Sequence, residues 1–114
     1  MNRGEVWLIN LNPTLDREMG KIRPAVIINN DVVGILPLKV IVPITDWKER
    51  YISRPWMVKL EANKSNGLTK NSAADTFQVR SLSQKRLIKK LGKLDSLEIA
   101  KITKALAIVL KIDQ

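Results

Sequence analysis

The stretch Lys39-Val40-Ile41-Val42-Pro43-Ile44-Thr45 reads as a β-strand, because its β-branched side chains fill a pleated surface and lose rotamer freedom in a helix. Pro43 cannot donate to a sheet ladder, so it marks a bulge or a sheet edge near the strand's end. Upstream, Ala25–Asn29 is a continuous apolar run of the kind a strand buried on both faces shows. Arg23-Pro24 opens that run, and Asn29-Asn30-Asp31 closes it. Glu5–Leu11, rich in Val6, Trp7, Leu8 and Ile9, is another strand and ends at the Asn12-Pro13 turn signal. Downstream, Trp56–Leu60 alternates and reads as a fourth strand, Asn66-Gly67 marks a turn, and Ser72–Arg80 reads as a fifth.

Two helices follow. Ser81-Leu82-Ser83-Gln84 fits a capping box, with Gln84 reaching back to the Ser81 amide, and Gly92 would end the short helix it starts. Asp95 and Glu98 form a second cap-like pair. After it, Ile99, Ile102, Leu106 and Val109 share one helical face, while Lys101, Lys104 and Lys111 lie off it. With no repeat, linker or low-complexity tract, residues 1–114 read as a single domain. The predicted class is α+β, mostly β: a barrel-like antiparallel sheet of about five strands, a short helix and a packed C-terminal helix.

The chain has no cysteine, which excludes disulfides, thiolate nucleophiles and zinc–thiolate sites. It also has no histidine, so the imidazole acid–base pair, most catalytic zinc sites and Ser-His-Asp triads are excluded too. Any chemistry rests on Asp, Glu, Lys, Arg, Thr, Ser or Tyr. No carboxylate cluster for a metal pair is evident, and neither metal nor cofactor is expected. Twenty basic residues against eleven acidic ones give a net charge of +9. That balance suits a polyanionic partner, nucleic acid or an acidic protein, and suits a merely solvated basic surface equally well. No apolar run approaches the ~20 residues of a membrane span, and Met1-Asn2-Arg3-Gly4-Glu5 lacks an apolar signal core. A cytoplasmic protein is expected.

Between the first two strands lies a polar loop, Asn12 to Ile22, long enough to suggest function. It carries Arg17-Glu18-Met19-Gly20-Lys21-Ile22-Arg23-Pro24. Pro24 biases Arg23 to an extended backbone and so fixes where its side chain emerges. Gly20 opens dihedrals closed to other residues and allows a phosphate backbone to come close. On spacing alone, the favoured reading of Glu18 and Arg23 is a commonplace surface ion pair contributing at most ~1 kcal/mol. Thr45 at its strand end can donate to a phosphoryl oxygen and Trp47 can stack on a base, or both can simply pack. Lys21, Lys48, Arg50 and Arg54 either extend an electropositive track or form a solvated face.

In order along the chain, Arg3-Gly4-Glu5-Val6-Trp7, the loop pattern E-x-G-x-x-R-P, the strand ending Asn30-Asp31, Pro43-Ile44-Thr45, Gln78-Val79-Arg80-Ser81 and Lys85-Arg86-Leu87…Gly92-Lys93-Leu94 resemble the MazF/PemK toxin family. The resemblance spans essentially the whole chain. It implies an SH3-like small barrel and a sequence-specific, metal-free endoribonuclease acting on single-stranded mRNA. It further implies a homodimer held in check by an acidic antitoxin protein. Arg23 and Thr45 match the family's catalytic arginine and threonine, Glu18 matches a glutamate that some members require, and Gln78 matches an RNA-contacting position. Met19, Gly20, Lys21 and Trp47 would flank the bound RNA. Arg17 replaces a usually small residue and Met19 a common glutamine, so the family's cleavage sequences do not transfer. One branch uses an aspartate just before Q-x-R; here Phe77 stands there and Asp75 lies two residues earlier, outside the expected site.

The implied chemistry accommodates a chain without histidine. The RNA 2′-hydroxyl attacks the adjacent phosphorus and expels the 5′ oxygen, so no protein nucleophile or metal-bound water is required. The competing reading is a non-catalytic CcdB-like toxin, which shares the barrel and binds DNA gyrase. A phosphate-clamping Arg–Thr pair would be idle there.

Overall fold

The computed structural model describes residues 1–33 and 37–113. Its strands are β1 (Glu5–Asn10), β2 (Ile22–Ile27), β3 (Leu38–Asp46), β4 (Met57–Leu60), β5 (Ser72–Asp75), β6 (Arg80–Ser83) and β7 (Leu87–Lys93), followed by helix α1 (Ser96–Leu110). Single 3-10 turns cover Glu49–Ser53, Thr76–Gln78 and Gln84–Arg86.

All pairings are antiparallel, in the order β4-β5-β3-β2-β1-β7, with β6 added on β3. The expected count of about five strands is therefore too low, and the sheet curls without closing into a barrel, since β4 and β7 end the path unpaired with each other. β3 organises the whole. It pairs with β2 through Ile41–Pro43, with β6 through Leu38–Ile41 and with β5 through Ile44–Asp46. Pro43, with no N–H to offer, lies in the gap between the β6 and β5 pairings. The stretch read as one strand, Ser72–Arg80, is accordingly broken by the Thr76–Gln78 turn into β5 and the start of β6.

The short helix expected after Ser81 does not form. Ser83, rather than Ser81, caps a single 3-10 turn by accepting the Lys85 amide, and the chain then runs out as β7 along β1. Two non-local demands override the local capping signal. Leu82 and Leu87 must both be buried in one apolar cluster, and the outer edge of β1 needs hydrogen-bond partners. Gly92 is not a helix cap either. A Cβ there would lie 2.3 Å from the Ser65 carbonyl oxygen, so the glycine permits a backbone-to-backbone approach.

Ala25, Val26, Ile27 and Ile28 are all buried, as their unbroken run predicts. Val26 and Ile28 join Val6, Val42, Ile44, Leu60 and Ile102 in the larger core; Ala25 and Ile27 join Ile9, Leu11 and Ile41 in a second one. The capping box of α1 forms as read: Asp95 Oδ1 accepts the Glu98 amide at 2.7 Å, and Glu98 Oε1 accepts the Asp95 amide at 3.1 Å. The helix packs on β4 and on the Thr76–Gln78 turn, burying Ile102 and Ala105 with Ile99 and Leu106 beside them. Among the described residues no helix is long and apolar enough to cross a membrane.

Candidate active site

The β2–β3 ladder pairs Ile27 with Ile41, Val26 with Val42 and Ala25 with Pro43. Continued two rungs further, it sets Arg23 opposite Thr45, and their side chains meet. Arg23 Nη1 donates to Thr45 Oγ1 at 3.5 Å, and Arg23 Nε donates to the Gly20 carbonyl at 3.0 Å. Both side chains are half-buried. Among the described residues no carboxylate forms an ion pair with Arg23, so the plain Glu18–Arg23 surface pair is absent. The guanidinium has donors to spare for an anion. Arg23 and Thr45 line a cleft of about 380 Å³ together with Leu8, Pro24, Ile44, Lys70 and Leu91.

Glu18, Met19 and Gln78 line a different cleft, of about 650 Å³, with Arg17, Phe77 and Arg80. The Glu18 carboxylate is exposed and accepts the Leu15 amide at 2.7 Å. Met19 rests on the second core, and its amide donates to Gln78 Oε1 at 2.6 Å. The dihedral reading of Gly20 is corrected: the left-handed backbone falls on Lys21, at φ +66°. What Gly20 contributes is space, since a Cβ would meet Asn12 Oδ1 and Thr14 Oγ1 at 2.7 Å. Lys21 is exposed, with its amide on Asn12 Oδ1. Trp47 is half-buried, edge-on to Tyr51 and under the Lys59 ammonium 5.2 Å away, and it lines neither cleft.

Residues 2–110 match the family model for PemK-like, MazF-like toxins of type II toxin–antitoxin systems. The chain belongs to the MazF/PemK family. Endoribonuclease MazF9 of Mycobacterium tuberculosis is 30% identical over 112 residues, covering 93% of this chain and 92% of that one. The crystal structure of MazF from Deinococcus radiodurans superposes with a TM-score of 0.82 at 22% identity, covering 98% and 97% of the two chains. A mycobacterial endoribonuclease in complex with its cognate antitoxin gives a TM-score of 0.77 at 21% identity, covering 100% of this chain and 98% of that one.

Three features of this MazF/PemK chain escaped the reading of its residues. Arg80 and Arg86 act on the loop between β1 and β2: Arg80 Nη1 donates to the Leu11 carbonyl at 3.1 Å, and Arg86 Nη1 reaches the carbonyls of Asn10 and Asn12. Both follow recognisable motif positions, but nothing in their spacing names their acceptors. Phe77 is 68% exposed beside the larger cleft and is propped edge-on by Trp56. Asp75 is buried under the same turn. Burial pushes its carboxyl above the usual aspartate range, against the N–H groups of Phe77 and Gln78 and the charge of Arg54.

Proposed function

We propose that this chain is a sequence-specific endoribonuclease that cuts single-stranded mRNA, the toxin of a type II toxin–antitoxin system. The observation that carries the reading is the Arg23–Thr45 contact at the open end of the β2–β3 ladder. There, a planar cation and a hydroxyl are presented side by side to a phosphate, and the relative named endoribonuclease lends the substrate class.

In this mechanism the 2′-hydroxyl gives its proton to Glu18 as the O2′–P bond forms. The P–O5′ bond breaks, and the departing oxygen takes a proton from solvent. The products are a 2′,3′-cyclic phosphate and a 5′-hydroxyl. Arg23 and Thr45 stabilise charge on the equatorial oxygens, and no metal takes part. Glu18 lines a separate cleft, so its role as base requires its exposed side chain to swing toward the scissile phosphate on RNA binding, while its backbone stays held on either side. Phe77 offers a base a barer aromatic face than Trp47 does, since Trp47 already carries Tyr51 and Lys59. The protein works in the cytoplasm as a homodimer. Its antitoxin brings an acidic segment that folds over the basic groove, in keeping with a net charge of +9.

The test is incubation with a mixed-sequence single-stranded RNA in excess EDTA, followed by end-group analysis. Cyclic-phosphate and 5′-hydroxyl ends at recurring sites support the proposal. Intact RNA would overturn it.

A further inference from the structure

We infer that Asp75 is a positioning residue for Arg23, acting through Gln78 and the Met19–Gly20 segment; the inference rests on the ribonuclease reading above. A chain of hydrogen bonds marks the route. Gln78 Nε2 donates to Asp75 Oδ2 at 3.4 Å, and Gln78 Oε1 accepts the Met19 amide at 2.6 Å. One residue on, the Gly20 carbonyl accepts from Arg23 Nε at 3.0 Å, and Arg23 Nη1 meets Thr45 Oγ1 at 3.5 Å. The Gln78 amide also reaches the Arg17 carbonyl at 3.4 Å, so one side chain holds the loop at two points on either side of Glu18.

A carboxylate at position 75 reinforces the direction that the Met19 N–H and the Arg17 carbonyl give Gln78. Asp75 Oδ1 takes the Phe77 amide at 3.1 Å, which leaves Oδ2 for the Gln78 NH₂ group. Gln78 must then turn its oxygen toward Met19. An asparagine has only one oxygen. If it serves the Phe77 amide, its own NH₂ faces that of Gln78; rotating Gln78 cures this only by turning an NH₂ onto the Met19 N–H. No arrangement satisfies every donor. Gln78, which the family resemblance assigns to RNA contact, therefore spends its amide on holding the loop. Asp75 is buried and touches neither cleft, so its effect on a phosphate is exerted through Arg23.

The experiment compares the wild type with Asp75→Asn and with Gln78→Met, which keeps the shape and removes both amide bonds. With single-stranded RNA, kcat should fall about 10- to 100-fold in each variant, the scale of a small misplacement at a reacting centre, with KM little changed. Adding Asp75→Asn to Arg23→Lys should cost nothing further. In the RNA-free protein, the NMR signal of the Arg23 Nε–H should exchange faster with solvent in both variants. An Arg23 Nε–H and a kcat that Gln78→Met leaves unchanged would overturn the proposal, as would a rise in KM alone, which marks Gln78 as an RNA contact. If Asp75→Asn fails to fold, the half-buried Gln78 decides by itself. A wild type that cuts no RNA overturns the ribonuclease reading and this role together, whereas an unresponsive Arg23 signal in an active enzyme overturns only the role.

Discussion

Arg23 and Thr45 are cross-strand partners two rungs beyond the last paired residues of β2 and β3, and guanidinium meets hydroxyl at 3.5 Å. Side chains anchored on adjacent strands keep their separation without the entropy cost of ordering a loop. Arg23→Lys should lower kcat/KM at least about 100-fold with the fold intact, because a point ammonium cannot reproduce a fork aimed at two oxygens. Thr45→Val, almost the same shape, should cost a similar factor by removing one donor. Circular dichroism with a cleavage assay checks both, and near-normal turnover in either would remove that residue from the site.

The RNA's own hydroxyl gives a separate test. One deoxy substitution 5′ of the scissile phosphate should stop cleavage yet leave binding nearly unchanged, since one hydroxyl contributes only about 1 kcal/mol to affinity. Cleavage of that substrate at a normal rate, or loss of activity on chelation, would mean a water-dependent nuclease.

Phe77→Ala should weaken binding of this uncleavable RNA by about 1–3 kcal/mol, the worth of one base stacked on an aromatic ring. Phe77→Tyr should keep the affinity. Equal binding by all three proteins in a fluorescence titration would leave the ring without a role in recognition.

Glu5 predicts how stability responds to acid. It is buried between the Trp7 indole N–H at 2.9 Å, the N-terminal ammonium and Lys90, the two cations at 3.5 Å. Burial pushes its carboxyl upward, but the N–H groups of Trp7 and Asn2 and the two cations outweigh it, so the folded value lies below the ordinary 4.5. A depressed carboxylate stabilises the fold above its unfolded pKa and loses that contribution as pH falls through the folded value. The melting temperature of the wild type should therefore drop below pH 4.5 more steeply than that of Glu5→Gln. Parallel curves would remove Glu5 as the cause.

Gly92→Ala should destabilise the protein by about 1–3 kcal/mol, the usual cost of forcing an extra methyl into a packed site. The added carbon would fall 2.3 Å from the Ser65 oxygen and 2.5 Å from the Asn66 carbonyl carbon, neither of which is the end of a mobile side chain. An unchanged denaturation midpoint would show that this approach relaxes freely.

What the residues disclose in advance follows from how local each signal is. The capping box of α1 and the buried run Ala25–Ile28 are readable because cap and burial lie within a few neighbouring residues. β7 is not, because Ser81–Gln84 carries a plausible helix start, and what defeats it is the unpaired edge of β1, some eighty positions away in the chain. The motif order singles out Arg23 and Thr45, and the β2–β3 register then supplies their distance. The Met19–Gln78 bond joins residues 59 apart, and no periodicity reports it. Nor does any pattern say that Glu18 and Arg23 face separate clefts.

β4 and β7 never pair, and the ring they leave open is drawn together by the loop that follows β4. The Lys93 amide binds the Ser65 carbonyl at 2.8 Å, and Gly67 presses so near Leu91 that a Cβ would stand 2.0 Å from its carbonyl oxygen. Gly67, Leu68 and Leu91 also wall the cleft that holds Arg23 and Thr45. That clasp sets the aperture of the slot. A continuous ladder of rungs would fix the gap at one strand spacing, roughly 4.8 Å. A loop fastened by glycine-tight contacts can hold it at another width, and a bulkier residue at position 67 would pry the slot open from the side opposite the reacting pair.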